Sequence, residues 1–142
     1  MSAHNAISEV NLFHVGLLLA GQPDLLMRDT EGNIVVVDWK RSKGIRFEND
    51  RGALKYPLQH LPDANYWLYA LQLNVYRYIL ESEYGMAVSS MLLAVVHPES
   101  EAPRLIACPR MQAEVEAMVE YEIECGRAKA AAVPGPDAPF DV

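Results

Sequence analysis

Three charged residues stand near an aliphatic stretch of the chain. Asp38 and Lys40 follow the run at 34–37 and are two residues apart, so on a β-strand their side chains share one face. Asp24 lies upstream of a predicted turn, which would fold its carboxylate to the same sheet edge. Carboxylate oxygens are ligands for Mg²⁺ or Mn²⁺, which can activate water and neutralise charge on a phosphate. The spacing also fits a plain strand-end ion pair, with Asp24 capping a turn.

A second pair of polar residues lies on a predicted helix. Gln72 and Tyr76 are four residues apart, so they share one face of that helix, near the edge of its apolar stripe. A glutamine there can hydrogen-bond to a backbone or a phosphate, and the tyrosine can reach the same place. The spacing alone also fits a polar–aromatic pair that packs on a sheet.

The elements that would position these residues follow from hydropathy and turn signals. Strands are predicted over residues 10–20, 23–29 and 34–39, with Gly16 able to interrupt the first and a hairpin turn at 30–33. A charged loop follows at 40–62, a length typical of functional or mobile segments.

The second half of the chain begins with a helix predicted over residues 63–84. Asp63 is its expected N-cap and Gly85 its stop. Its expected buried stripe consists of Leu68, Leu71, Val75 and Ile79. Further strands are predicted at 88–97 and 103–107, and a helix at 109–132. This order predicts a mixed sheet with helices on its faces, hence an α/β or α+β protein.

Composition places the chain among globular domains. Its 142 residues fit one domain, expected over 1–132 with a Pro-rich, disordered tail at 133–142. Cys108 and Cys125 lack the spacing of metal ligands. The sequence contains no apolar run of about 18 residues and no signal-peptide pattern, so an intracellular location without a membrane span is expected.

Charge is distributed unevenly along the chain. The formal net charge of −7 argues against a general nucleic-acid binder. The segment 40–55, however, carries six basic side chains against two acidic ones. Such a loop can contact phosphates locally, and it can equally be a solvated loop that contacts nothing. Because like charges repel, we expect it to be mobile without a ligand.

The motifs together resemble a known family. Gly21-Gln22-Pro23-Asp24, Val37-Asp38-Trp39-Lys40 and Gln72-Leu73-Asn74-Val75-Tyr76 are similar to the G-x-x-D, D-x-K and Q-x-x-x-Y motifs of the PD-(D/E)XK nuclease superfamily. The resemblance is to its RecB-like branch, as seen in nucleases of large DNA viruses and phages, and covers about residues 8–120. It implies a restriction-endonuclease-like fold with an αβββαβ core. It also implies metal-dependent cleavage of DNA.

The resemblance assigns roles to individual residues. It implies that Asp24 and Asp38 bind the metal together with the backbone carbonyl of Trp39, and that Lys40 is catalytic. Glu9 is the candidate third carboxylate. Gln72 and Tyr76 would support the site or hold the DNA backbone. The basic residues expected to contact phosphates are Arg41, Lys43, Arg46 and Arg51.

One departure from the family pattern concerns the first helix. Only eight residues precede Glu9, too few for the helix that usually walls the active site, so we expect it to be shortened or missing. A partner chain or a second copy of this chain could complete the wall.

Several functions fit these observations. The leading hypothesis is a magnesium-dependent deoxyribonuclease, or a manganese-dependent one, that acts on ends, flaps or single strands. The alternatives are a catalytically weak DNA-binding or assembly module, and an endonuclease that acts on RNA or branched DNA.

Overall fold

The computed structural model describes the backbone of residues 6–132 and the side chains of residues 6–126. Five strands form one mixed sheet in the order β1-β4-β5-β6-β7, and β2 pairs with β3 in a separate hairpin. The elements are β1 (Ala6–Ser8), β2 (Leu12–His14), β3 (Leu19–Gly21), β4 (Leu25–Arg28), β5 (Ile34–Arg41), α1 (Asn65–Glu83), β6 (Val88–Val96), β7 (Arg104–Ala107) and α2 (Gln112–Ala132). The predicted α/β architecture, a mixed central sheet flanked by helices, is confirmed.

Strand β5 lies at the centre of the sheet. It pairs antiparallel with β4, with Leu25 opposite Val37, and parallel with β6. Parallel neighbours need a crossover connection, which here contains α1, and α1 packs back onto β5 and β6. The strand continues through Arg41, two residues beyond the predicted end, so Lys40 belongs to the sheet rather than to the loop.

The strand predicted over residues 10–20 is interrupted near Gly16, as that glycine allowed, and forms two short strands. Strands β2 and β3 are joined by a turn in which Leu18 has a positive φ of 54°. The His14 Nδ1 atom accepts a hydrogen bond from the Leu17 backbone N–H at 3.2 Å, which helps to hold that turn. Leu12 is buried in the core cluster, and β2 packs against α1. The apolar run therefore covers the helix instead of joining the main sheet.

The start of α1 also differs from the prediction. The N-cap is Ala64, without a side-chain cap, rather than Asp63. The preceding loop supplies an acceptor instead, because the Arg46 carbonyl receives the Tyr66 N–H at 3.1 Å. The predicted stripe is wrong at Leu68, which is 49% exposed, whereas Leu71 and Ile79 are buried as expected.

The end of α1 and the two strands after it agree with the predictions, whereas α2 begins at Gln112, three residues after its predicted start. Tyr84 is the C-cap of α1 and is followed by Gly85, whose φ of 62° is readily adopted only by glycine. Strands β6 and β7 lie within one residue of their predicted bounds.

The segment 42–64 is a packed loop rather than a loose one. The Trp67 indole N–H donates to the Phe47 carbonyl at 2.8 Å, and the Asn49 amide donates to the Asp63 carbonyl at 2.9 Å. Leu58 and Leu61 are buried in the core cluster. These contacts anchor the segment to the beginning of α1, and the expected mobility of residues 40–55 without a ligand stays a prediction.

Some predictions concern residues that the structure does not describe. The proposed tail at 133–142 lies beyond the described residues, as do residues 1–5. Within residues 6–132, no helix precedes Glu9. In the same range, neither helix combines the length and the apolar character that crossing a membrane requires.

Candidate active site

The β4–β5 hairpin brings the two predicted aspartates together. Because Leu25 pairs with Val37, Asp24 lies at the start of β4 beside Asp38 on β5. The Asp24 Oδ2 atom accepts a hydrogen bond from the Trp39 backbone N–H at 2.8 Å. This contact fixes the Asp24 carboxylate across the hairpin, next to that of Asp38.

The Asp38 side chain is buried, and burial disfavours the charged form of its carboxylate. Only 3% of the residue is exposed, and Lys40 Nζ lies 2.8 Å from Asp38 Oδ2. That oxygen nevertheless receives no well-directed hydrogen bond from the described residues, so the pair is held by charge more than by hydrogen-bond geometry. Burial raises the pKa of Asp38, Lys40 offsets part of the shift, and Asp24 raises it further.

Lys40 links the carboxylates to α1. Its Nζ atom donates to Gln72 Oε1 at 2.9 Å, and Gln72 Nε2 donates to the Tyr76 hydroxyl at 2.9 Å. The Tyr76 side chain is buried, and burial raises its pKa, with a further contribution from the charge of Asp38. Residues from β5 and α1 that are 32 or more positions apart thus form one continuous chain of polar contacts.

Gly21 has a steric role beside this chain. A Cβ atom at position 21 would lie 2.5 Å from the Tyr76 ring, closer than such contacts allow. The absence of a side chain therefore lets Tyr76 pack against the end of β3, three residues before Asp24. All three sequence motifs consequently meet at one place.

One residue at this place was missed by the sequence analysis. The Tyr69 ring lies under the Lys40 ammonium, with 4.8 Å between Nζ and the ring centroid. Tyr69 precedes Gln72 by three residues and Tyr76 by seven, so the three share one face of α1. That spacing was visible in the sequence, but nothing in it placed Lys40 over the ring.

Comparison with known proteins decides the family. A profile of the PD-(D/E)XK nuclease superfamily matches residues 2–139. This chain belongs to the PD-(D/E)XK nuclease superfamily. Its members are nucleases that generally use divalent metal ions and act on DNA. A search of curated proteins found no match.

One of two similar solved structures supports the fold of this PD-(D/E)XK protein. A "putative exonuclease" from Eubacterium rectale is 20% identical with a TM-score of 0.55, and the match covers 90% of this chain and 47% of that one. The crystal structure of SSO0001 is 21% identical with a TM-score of 0.45, covering 84% of this chain and 50% of that one. The chain thus spans about half the length of these structures.

The carboxylate pair fits a divalent ion of the kind that PD-(D/E)XK nucleases use. Asp24 and Asp38 present hard oxygen ligands side by side, and Asp38 Oδ2 is a buried acceptor without a directed donor among the described residues. A nearby cation would relieve the conditions that raise the pKa of Asp38. The donor set therefore suits Mg²⁺ or Mn²⁺ better than a soft metal.

The backbone of Glu9 forms hydrogen bonds with the segment around Asp24, whereas its side chain forms none with that segment. Its backbone N–H donates to the Asp24 carbonyl at 3.0 Å, and its own carbonyl accepts from Gln22 Nε2 at 3.1 Å. The Glu9 side chain is exposed, and no cluster of three His, Cys, Asp or Glu side chains that could hold a metal occurs among the described residues. A role for Glu9 as third ligand stays a prediction, as does one for the Trp39 carbonyl.

The predicted phosphate-binding residues are available for contact. Arg41 ends β5, directly after Lys40, and the other three lie in the packed loop. All four are exposed, and none forms an ion pair with a described residue; they are Arg41, Lys43, Arg46 and Arg51. Their charges are therefore available to interact with a ligand.

Proposed function

We propose that this PD-(D/E)XK protein is a metal-dependent deoxyribonuclease of the RecB-like branch, similar to those of large DNA viruses and phages. The observation that supports this most is the set of contacts from Asp38 through Lys40 to Gln72 and Tyr76, with the Asp24 carboxylate held by the Trp39 backbone N–H. A plain strand-end ion pair would not need a helix side chain to hold the lysine. Hydrolysis of a phosphodiester needs hard ligands and a positioned cation, and both are present here.

In this proposal the two aspartates hold Mg²⁺ or Mn²⁺, with the Trp39 carbonyl and Glu9 as further ligands. The ion would supply an activated water and a counter-charge for the phosphate. Lys40 orients the attacking water or stabilises the charge that develops on the phosphate oxygens. Gln72 and Tyr76 keep the Lys40 side chain extended toward the reacting atoms.

The substrate in this proposal is DNA at ends, flaps or single strands. The basic residues of the loop would guide its phosphates toward Asp38, since they lie just beyond the catalytic lysine in the chain. We propose that residues 1–132 form the nuclease domain and that 133–142 are a tail outside it. A partner chain or a second copy could complete the wall of the site.

A cleavage assay tests the proposal. End-labelled single-stranded, duplex and flapped DNA, and an RNA of the same sequence, are incubated with the chain in Mg²⁺, in Mn²⁺ or in EDTA. We expect cleavage of a DNA substrate with metal and none in EDTA. Binding of DNA without cleavage under every condition would favour the non-enzymatic module instead. Cleavage of RNA alone would favour the RNA endonuclease.

A further inference from the structure

The ammonium of Lys40 has three neighbours that differ in kind. Asp38 Oδ2 lies 2.8 Å away and Gln72 Oε1 lies 2.9 Å away. The third neighbour is the face of the Tyr69 ring, whose centroid is 4.8 Å from Nζ. Cations are attracted to the negative face of an aromatic ring within about 6 Å of its centroid. The ammonium is therefore held from two sides, by β5 and by α1.

These neighbours attract Lys40 toward two different elements, β5 and α1. The charge of Asp38 attracts the ammonium toward the carboxylate, where it would compete with a metal ion for the same oxygen. Gln72 and Tyr69 attract it toward α1 instead. The amide of Gln72 supplies only a neutral acceptor, so a second attraction on that side strengthens the balance.

We propose that Tyr69 is a positioning residue that keeps the Lys40 ammonium between Asp38 and α1 through the face of its ring. This inference rests on the proposed nuclease function of the same site. The ring adds a second attraction on the α1 side, so that the ammonium stays 2.9 Å from Gln72 Oε1 as well as 2.8 Å from Asp38 Oδ2. Without the ring, Lys40 would remain charged but would be placed incorrectly.

The surroundings of Tyr69 indicate that its ring matters rather than its hydroxyl. The side chain is partly buried and packs against the core cluster. Its hydroxyl forms no hydrogen bond with any residue that the structure describes, whereas the hydroxyl of Tyr76 accepts one from Gln72. Tyr69→Phe should therefore preserve the role of the ring, whereas Tyr69→Leu, which is smaller and has no aromatic face, should not.

Kinetics of three variants test the proposal. We expect Tyr69→Leu to lower kcat by about twofold to thirtyfold, the range of one cation–π contact, with KM changed less than twofold. Tyr69→Phe should stay within twofold of the parent, as should the control Leu68→Ala, an exposed neighbour on the same helix. In a Lys40→Ala background, Tyr69→Leu should have no further effect. An equal loss in Tyr69→Phe, or a loss that persists in the Lys40→Ala background, would overturn the proposal.

A second measurement does not depend on activity. In the protein without metal or DNA, the ring current of Tyr69 should shift the ε-proton NMR signals of Lys40 upfield. The shift should survive Tyr69→Phe and disappear in Tyr69→Leu. If it is absent in the parent, the positioning role is refuted whether or not the protein cuts DNA. If it is present and no substrate is cut, the proposed nuclease function fails while the contact itself stands.

Discussion

Two carboxylate–cation groups lie along α1, and they differ in how well the carboxylate is satisfied. At the active site, Asp38 is buried beside one lysine and a second aspartate, and burial raises its pKa. Toward the other end of α1, Glu81 receives Arg77 Nη1 and Arg110 Nη2 on one oxygen, each at 2.7 Å, and Arg110 Nη1 on the other at 3.0 Å. Burial alone would raise the pKa of Glu81, but the hydrogen bonds from Arg110 and Arg77 outweigh it and lower that pKa.

We interpret the contacts of Glu81 as serving stability and those of Asp38 as the proposed site of chemistry. Glu81, Arg77 and Arg110, here called the Glu81 cluster, join α1 to the connection between β7 and α2. Arg77 is almost fully buried, and its Nη1 also donates to Gln112 at 2.8 Å. Its Nη2 alone has no partner among the described residues. Asp38 instead retains an oxygen without a directed donor, which is the condition expected of a ligand site.

Removing the Lys40 ammonium from the proposed active site should have the largest effect on activity. We expect Lys40→Ala to lower kcat by at least about a hundredfold, the scale of one lost electrostatic contact to the transition state, with DNA affinity nearly unchanged. The matched control is Arg28→Ala, which removes one exposed positive charge near the far end of the β4–β5 hairpin. Turnover within a few-fold of the parent would make Lys40 a structural residue.

Disrupting the Glu81 cluster should lower stability and leave activity nearly unchanged. We expect Glu81→Gln to lower the free energy of unfolding by about 2 kcal/mol, because it leaves the buried Arg77 guanidinium without its counter-charge. Urea denaturation measures this loss. At a temperature where the variant is folded, kcat should stay near that of the parent. A variant as stable as the parent would contradict the structural role.

The exposed basic residues of the loop should make DNA binding sensitive to salt. If the loop contacts phosphates, replacing both Lys43 and Arg46 with alanine should weaken DNA binding and flatten the slope of log affinity against log salt by about one to two units. The comparison double variant is Arg28→Ala with Arg104→Ala, two exposed arginines outside the loop. An unchanged slope and affinity would mean that DNA enters from another face.

The Glu81 cluster should also contribute to the way in which stability depends on pH. We expect this effect to be smaller than the preceding ones. Because its folded pKa is lowered, Glu81 contributes stability above the ordinary glutamate pKa of 4.5, and this is lost as the pH falls through the folded value. Glu81→Gln should therefore lose less stability between pH 5 and pH 3 than the parent. Some slope should remain, since a hydrogen bond from Ser89 also lowers the pKa of Asp29. Parallel curves for the two proteins would refute this contribution.

Local signals in the sequence predicted most of the site. The turn at 30–33 and the aliphatic run before Asp38 are local features, so the β4–β5 hairpin and the adjacent placement of Asp38 and Lys40 could be predicted. The expectation that Gln72 and Tyr76 support the site or hold the DNA backbone came from the family resemblance rather than from spacing, and the contact of Gln72 with Lys40 was not predicted. The spacing established only that Gln72 and Tyr76 share a face of one helix.

The parts that were not predicted depend on distant contacts. Ala64 replaces Asp63 at the N-cap because the loop supplies a backbone acceptor from Arg46. Leu68 is half exposed because α1 buries a different stripe, which includes Leu73 and Leu80. The proposed role of the Tyr69 ring depends on the position of Lys40 on strand β5. None of these relations is encoded within one turn or one strand of the chain.

Binding of Mn²⁺, followed by electron paramagnetic resonance, shows whether Asp24 and Asp38 form a metal site. The parent, Asp38→Asn and Glu81→Gln are titrated with Mn²⁺ without DNA, so that no assumption about the substrate enters. Our account predicts that the parent and Glu81→Gln bind Mn²⁺ alike, while Asp38→Asn, which keeps the shape but removes the charge, loses most of the affinity. Unchanged affinity in Asp38→Asn would contradict the assignment of Asp24 and Asp38 as the metal site.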